Sequence, residues 1–461
     1  MVLNKKLADN TFILTAASLF MSVISMVFQT WLAGRIGTAG IGLYQLVLSV
    51  TSLVMTFAIS GIRFASTRLI SEELADGGET IRSAMKRCFS YALFFGTAAG
   101  VVLYLTAEPV GFLWLGDART VRPLRLSALS MPCAALCSAM SGYFIAVSRV
   151  WKSALIHIAE LLTGTAVSVY LLSQCPIENI EKSCFAITQG RITADVFSLF
   201  LMSAVFLTDI RRYAPENRRN TSIAPRMLKI ALPLAFSAYT RSALSTLQHI
   251  LVPRALRRSG LSGEKALSGY GIIQGMALPA VFFPSCILSA AAELIVPELT
   301  AMQLSGDGDS VSKSVGRLSS LALAFSAGIS IILFLLSDRI GNGIYKSKEA
   351  GYFIRLLSPL VPVMYTDMII DGCLKGLGEQ MWNMKVNILD SALSVLLVWQ
   401  LLPLYALKAY IVIIYFTEIL NFVLSYAHLH TVIRHFPGSG VPVSSHHPYG
   451  APAKYACKED T

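Results

Sequence analysis

Apolar runs of about twenty residues recur along the whole chain, separated by short polar stretches. A helix needs about twenty residues, at ~1.5 Å each, to cross ~30 Å of hydrocarbon, so each run predicts a membrane-spanning helix. The runs fall at 11–34, 40–62, 88–107, 123–147, 153–174 and 184–207, then as a pair within 228–299, and then at 318–336, 351–374, 386–402 and 405–426. That makes about twelve spans. The first follows Lys5 and Lys6 and lacks a small-residue cleavage site, so it reads as a retained helix. Polar residues inside the runs are ordered. Thr11, Thr15, Ser18, Ser22, Ser25 and Gln29 step by threes and fours down one face, and Gln45, Ser49, Ser52, Thr56 and Ser60 repeat the pattern. Stepping the same way from Arg241 meets Ser237, Ser245 and Gln248. One stripe of small hydroxyls serves helix packing as readily as a cavity, but full-length stripes on two successive helices favour a shared wet cavity.

Composition fixes the class as an all-α polytopic membrane protein: 54% of residues are hydrophobic and 14% charged. No loop is long enough to bury a core of its own, which argues against an attached catalytic domain. The net charge of +11 is read as positive-inside bias and attraction to lipid headgroups, with no nucleic acid as partner. Lys and Arg outside the spans place both termini in the cytoplasm. The hairpin carrying Arg254, Arg257, Arg258 and Lys265 runs against that rule, either as a local exception or as a surface for an anionic headgroup. An arginine-rich connection at 208–227 divides a six-helix lobe, 1–207, from a second, 228–430, and 431–461 reads as a disordered cytoplasmic tail. The segment GIGLYQLV is echoed by SGYGIIQGMALPAVFFPS in the second half, which predicts a parallel pseudo-two-fold repeat with a cavity between the lobes.

The charges inside the spans carry the chemistry. An arginine at mid-bilayer costs at least ~2.5 kcal/mol unless it meets water or a partner, so Arg241 marks a site. Arg191 and Asp195, one turn apart, read as a structural ion pair. His157 and Glu160 share a face and either relay a proton or cap a packing contact. Asp367 and Asp371 also share a face, and two like charges one turn apart suit a proton or cation site. Cys175 and Cys184 bracket a short outer loop where a disulfide is possible. Gly34, Gly37, Gly40 and Gly42 join two helices with no strand before them, so they read as turn and packing residues, not a nucleotide loop. HExxH, CxxC and nucleophile-elbow motifs are absent, and neither enzyme activity nor a bound metal is expected. Prolines Pro233, Pro279 and Pro284 are expected to bend their helices.

Three stretches, IGTAGIGLYQL at 36–46, SGIRFASTRLISEE at 60–73 and residues 251–285, carry a resemblance that covers essentially all but the tail. The chain resembles the polysaccharide-transporter branch of the multidrug/oligosaccharidyl-lipid/polysaccharide flippase superfamily. The resemblance implies a MATE/MurJ-like pair of six-helix lobes in the bacterial plasma membrane. It implies alternating access that moves undecaprenyl-pyrophosphate-linked oligosaccharide, or a lipid II-like peptidoglycan precursor, to the outer leaflet. Membrane lipid and cell-wall or spore-cortex synthesis proteins are the implied partners. Lipid II flippases of this fold are taken to hold the pyrophosphate on cavity arginines, a role that falls here to Arg241, assisted by Arg63 or Arg68, with Gln29, Gln45, Ser245 and Gln248 around them. Guanidinium suits a pyrophosphate through bidentate hydrogen bonds, and an inside-negative potential pushes an anion outward by about 2.3 kcal/mol per charge per 100 mV. No cofactor is implied beyond a coupling ion, Na+ or H+. A cation-coupled multidrug exporter of the same superfamily is the alternative, and a membrane glycan polymerase or transferase a third class.

Overall fold

A computed structural model describes residues 2–59, 61–75, 80–175, 179–211, 223–305 and 308–434. Among these residues there is no strand. In the first half, the helices are α1 (Val2–Ile59), α2 (Ile62–Ala75), α3 (Ile81–Pro109), α4 (Val121–Ala128), α5 (Met131–Ala146), α6 (Val150–Gln174) and α7 (Ile180–Ile210). The second half comprises α8 (Ile223–Arg258), α9 (Gly263–Ile272), α10 (Leu278–Phe282), α11 (Cys286–Ser305), α12 (Gly308–Arg339), α13 (Lys348–Leu357), α14 (Val361–Gly376) and α15 (Gln380–Arg434). Among the described residues, eight helical stretches are long and apolar enough to cross a membrane, or nine if the pair α4 and α5, bent by 46°, is one span. The chain is thus an all-α polytopic membrane protein.

Two of these stretches are folded back on themselves. A straight α15 of 55 residues would be about 80 Å long, far more than a ~30 Å hydrocarbon core. Instead Trp382 and His428, near its two ends, stack with ring centroids 4.1 Å apart. The reversal is at Ala406, where φ is 51° and ψ −138°, one turn after Pro403. In α1 the break is at Gly37, with φ 71° and ψ 178°, a conformation that glycine adopts without a Cβ penalty. The expected spans 11–34 and 40–62 lie on either side of it. Proline and glycine break the 263–305 stretch further. A π-helical turn at 273–277 follows α9, Pro279 opens α10, and a 3-10 turn at 283–285 contains Pro284. Pro233, by contrast, lies inside a continuous α8.

The helices bury one large apolar core, which joins α1 to α9, α14 and the second arm of α15, and a smaller one around α2, α3 and α5. The expected linker falls mostly on 212–222 and the expected tail mostly on 435–461, both outside the described residues. Residues 431–434 complete α15.

Candidate functional site

The second arm of α1 and the central part of α8 face each other across a polar cavity of about 630 Å³. Gln45, Ser49, Ser52 and Thr56 line one wall, as their three-and-four spacing requires. Arg241, Ser242, Ser245 and His249 line the other. The walls touch at their margins: Thr56 Oγ1 lies 3.2 Å from Ser242 Oγ, Thr246 donates to the Ser49 carbonyl at 3.0 Å, and Phe57 stacks on Tyr239 with centroids 4.3 Å apart. Gln45 and Arg191 continue into a second cavity of about 700 Å³ between α1, α6 and α7. Ser25 and Gln29 line that cavity from the first arm of α1, opposite Arg63, His157, Glu160 and Asp195. A third hollow of about 180 Å³ adjoins it and shares Arg63, His157, Glu160 and Asp195.

Three arginines therefore border one connected polar space, Arg63 from α2, Arg191 from α7 and Arg241 from α8. Among the described residues none of the three forms an ion pair within 4.0 Å. The expected Arg191–Asp195 pair is not formed. Arg191 is exposed to the cavity, whereas Asp195 is buried with Oδ2 lacking a hydrogen-bond partner. Helical spacing makes the two neighbours on one cavity wall without bringing the charged atoms into contact. Arg68 also departs from its expected place: it pairs with Glu72 at 3.0 Å one turn along the exposed face of α2. Gln248 is half-buried beside the lining, and His249 takes the next cavity position after Ser245. Gln29 reaches the Gly275 carbonyl at 3.4 Å.

The expected coupling carboxylates fall into two places. In the first half, His157 Nδ1 lies 3.2 Å from Glu160 Oε2, which accepts from Ser198 Oγ at 2.7 Å. In the second half, Asp367 and Asp371 on α14, with Asp390 on α15, each keep Oδ1 buried and without a hydrogen-bond partner, as does the Asn383 Oδ1 nearby on α15. Cys175 and Cys184 are free thiols. Cys184 is 1% exposed inside the core at the start of α7, while Cys175 caps α6, so closeness in sequence does not bring the sulfurs together.

This architecture recurs among solved transporters. The lipid II flippase MurJ in its inward closed conformation matches with a TM-score of 0.72 at 12% identity, covering 92% of this chain and 90% of that one. A multidrug resistance MATE family transporter of the MOP superfamily in the inward-facing conformation matches at 0.69 and 11% identity, covering 94% and 100%. Among curated proteins, sporulation protein YkvU of Bacillus subtilis (strain 168) is 21% identical over 372 residues, 79% of this chain and 81% of that protein. Stage V sporulation protein B of the same organism is 24% identical over 399 residues, 82% and 75% respectively. Residues 256–400 match the MatE family. Residues 7–303, more than half of the chain, match the family described as polysaccharide biosynthesis protein, and the chain belongs to that family.

Proposed function

We propose that this protein is a flippase that carries undecaprenyl-pyrophosphate-linked oligosaccharide, or a lipid II-like peptidoglycan precursor, to the outer leaflet by alternating access. The observation that supports the reading is the set of three arginines around one polar space, none of them in an ion pair within 4.0 Å among the described residues. An unpaired pyrophosphate cannot enter hydrocarbon without a large penalty, and guanidinium donors from α2, α7 and α8 offer charge-assisted hydrogen bonds along the path. Arg241 and Arg191 hold the phosphates, Arg63 meets the headgroup at the neighbouring hollow, and Gln45 sits where the two larger cavities join. The sugar takes the hydroxyl-lined walls. Names of the sporulation relatives support a role beside cell-wall or spore-cortex synthesis proteins, with both termini cytoplasmic.

The coupling step belongs to the carboxylates. His157 and Glu160 border the headgroup space, whereas Asp367 and Asp371 stand apart with unsatisfied buried oxygens. A proton or Na+ at either place would tie cavity charge to an ion gradient. The MatE match and the carboxylates favour the cation-coupled exporter as the second reading.

The test uses purified protein in liposomes with a fluorescent undecaprenyl-pyrophosphate sugar lipid, reading headgroup accessibility from the opposite leaflet. Protein-dependent movement that Arg241→Ala abolishes, at normal protein levels, is the expected result. Extrusion of cationic dyes without lipid movement would give the exporter reading first place.

A further inference from the structure

On the face of α1 turned away from the polar space lies a cavity of about 640 Å³ with apolar walls. Met26, Val27 and Trp31 form one wall, and Phe283, Leu333 and Ile344 the other. It opens sideways: Val27 is 64% exposed, Trp31 39%, Phe283 37% and Ile344 47%. On a helix bundle in a bilayer, such an opening faces lipid. The end near Gly37 is different in kind, because Arg35 and Lys346 both line the cavity there. Arg35 donates to the Leu172 carbonyl at 3.4 Å, and neither cation forms an ion pair within 4.0 Å among the described residues. Lys346 sits at φ 53°, in a turn that a side chain rarely adopts, between the end of α12 and α13. Thr30 Oγ1 and Tyr345 OH, 3.5 Å apart, close the gap between the two walls beneath the rim.

We infer that this groove binds an anionic phospholipid of the bilayer, with one acyl chain between α1 and α12 and the phosphate between Arg35 and Lys346. The volume falls within the range of about 300–1,000 Å³ typical of small-molecule sites, enough for one chain and not for a second. Two uncompensated cations beside an apolar slot complement a phosphate at the end of a hydrocarbon chain, whereas a zwitterionic lipid brings its own cation to the rim. Because the walls come from the two halves of the chain, a bound lipid joins them at their seam. The site is independent of the headgroup cavity and stands whether or not the flippase reading holds.

Trp31 provides the readout. The full-length protein in nanodiscs is titrated with phosphatidylglycerol or phosphatidylcholine brominated on the acyl chain, and Trp fluorescence quenching is compared with that of Trp31→Phe. Each cation contributes roughly a fivefold preference for an anionic lipid, so Trp31-dependent quenching should require several-fold less of the phosphatidylglycerol. Arg35→Gln with Lys346→Gln should erase that preference while quenching by the zwitterionic lipid persists, which also shows that the variant is folded. Equal quenching by both lipids would reduce the groove to ordinary hydrocarbon contact and overturn the inference. Displacement of phosphatidylglycerol by an equal mole fraction of polyisoprenyl phosphate would overturn it in favour of the isoprenoid chain.

Discussion

Adding a single methyl group at Gly271 tests how the two halves of the chain close against each other. The start of the second arm of α1 lies against α9 with backbone touching backbone. A Cβ built on Gly271 falls 2.1 Å from the Thr38 carbonyl oxygen and 2.7 Å from the Gly42 nitrogen, and one on Gly42 falls 2.2 Å from the Leu267 carbonyl oxygen. Ordinary van der Waals contact begins at 3.4 Å, so Gly271→Ala is short by more than an ångström against atoms that cannot rotate away. The helices must part, and the Thr38–Ser268 hydroxyl contact of 2.6 Å goes with them. Overpacking of this kind costs about 1–3 kcal/mol in the closed arrangement. If the open arrangement does not suffer the clash, the closed-to-open ratio falls roughly 5- to 150-fold. Thr38→Cys with Ser268→Cys, on a background free of other cysteines, reports the closed state by cross-linking yield. Gly271→Ala should lower that yield and lengthen the spin-label distance between the same positions. Unchanged yield and distance would show that the contact is not a point of closure.

Further outcomes follow from other sites. Arg191→Gln should reduce lipid movement about as much as Arg241→Ala in the liposome assay, whereas a structural ion pair would make Asp195→Asn equally damaging. Asp209 is 1% exposed and accepts from Tyr143 at 3.1 Å and Lys152 at 2.7 Å while pairing with Arg149. Asp209→Asn leaves Arg149 and Lys152, which keep partial access to water, without their counter-charge at the end of α7 and should destabilise by about 1–3 kcal/mol; an unshifted thermal melt in detergent would refute this. Ala406→Gly removes the strain of a positive φ, worth about 1 kcal/mol or more, so the melt should rise, and a fall would mean that the Ala406 methyl packs usefully. Alkylation followed by mass spectrometry should find Cys175 and Cys184 both free, and a bond between them would contradict their placement.

The stripe from Gln45 to Thr56 was legible because period is a property of sequence: three-and-four spacing puts residues on one face wherever the helix goes. Which face meets which was not legible. Arg191 and Asp195 satisfy the spacing of an ion pair and border the same cavity, yet their charged atoms stay more than 4.0 Å apart, the guanidinium exposed and the carboxylate mostly buried. Arg68 belongs to the same motif as Arg63, but it lies on the exposed face of α2, where Glu72 one turn on is its natural partner. Along α8 the cavity positions run by fours through Arg241, Ser245 and His249, and three-and-four spacing does not distinguish Gln248 from His249 after Ser245. The apolar groove left no trace in the sequence, because its walls look like any lipid-facing helix until folding brings Arg35 and Lys346 to one rim.

The reversals at Gly37 and Ala406 bear on how the chain is made. Each turns a long apolar stretch back through a single residue outside helical geometry, so no hydrophilic loop separates the arms. A translocating machinery has nothing there to carry across independently. The two arms of α1, and likewise those of α15, therefore enter the bilayer as one hairpin, and a charge placed in either arm burdens the insertion of both.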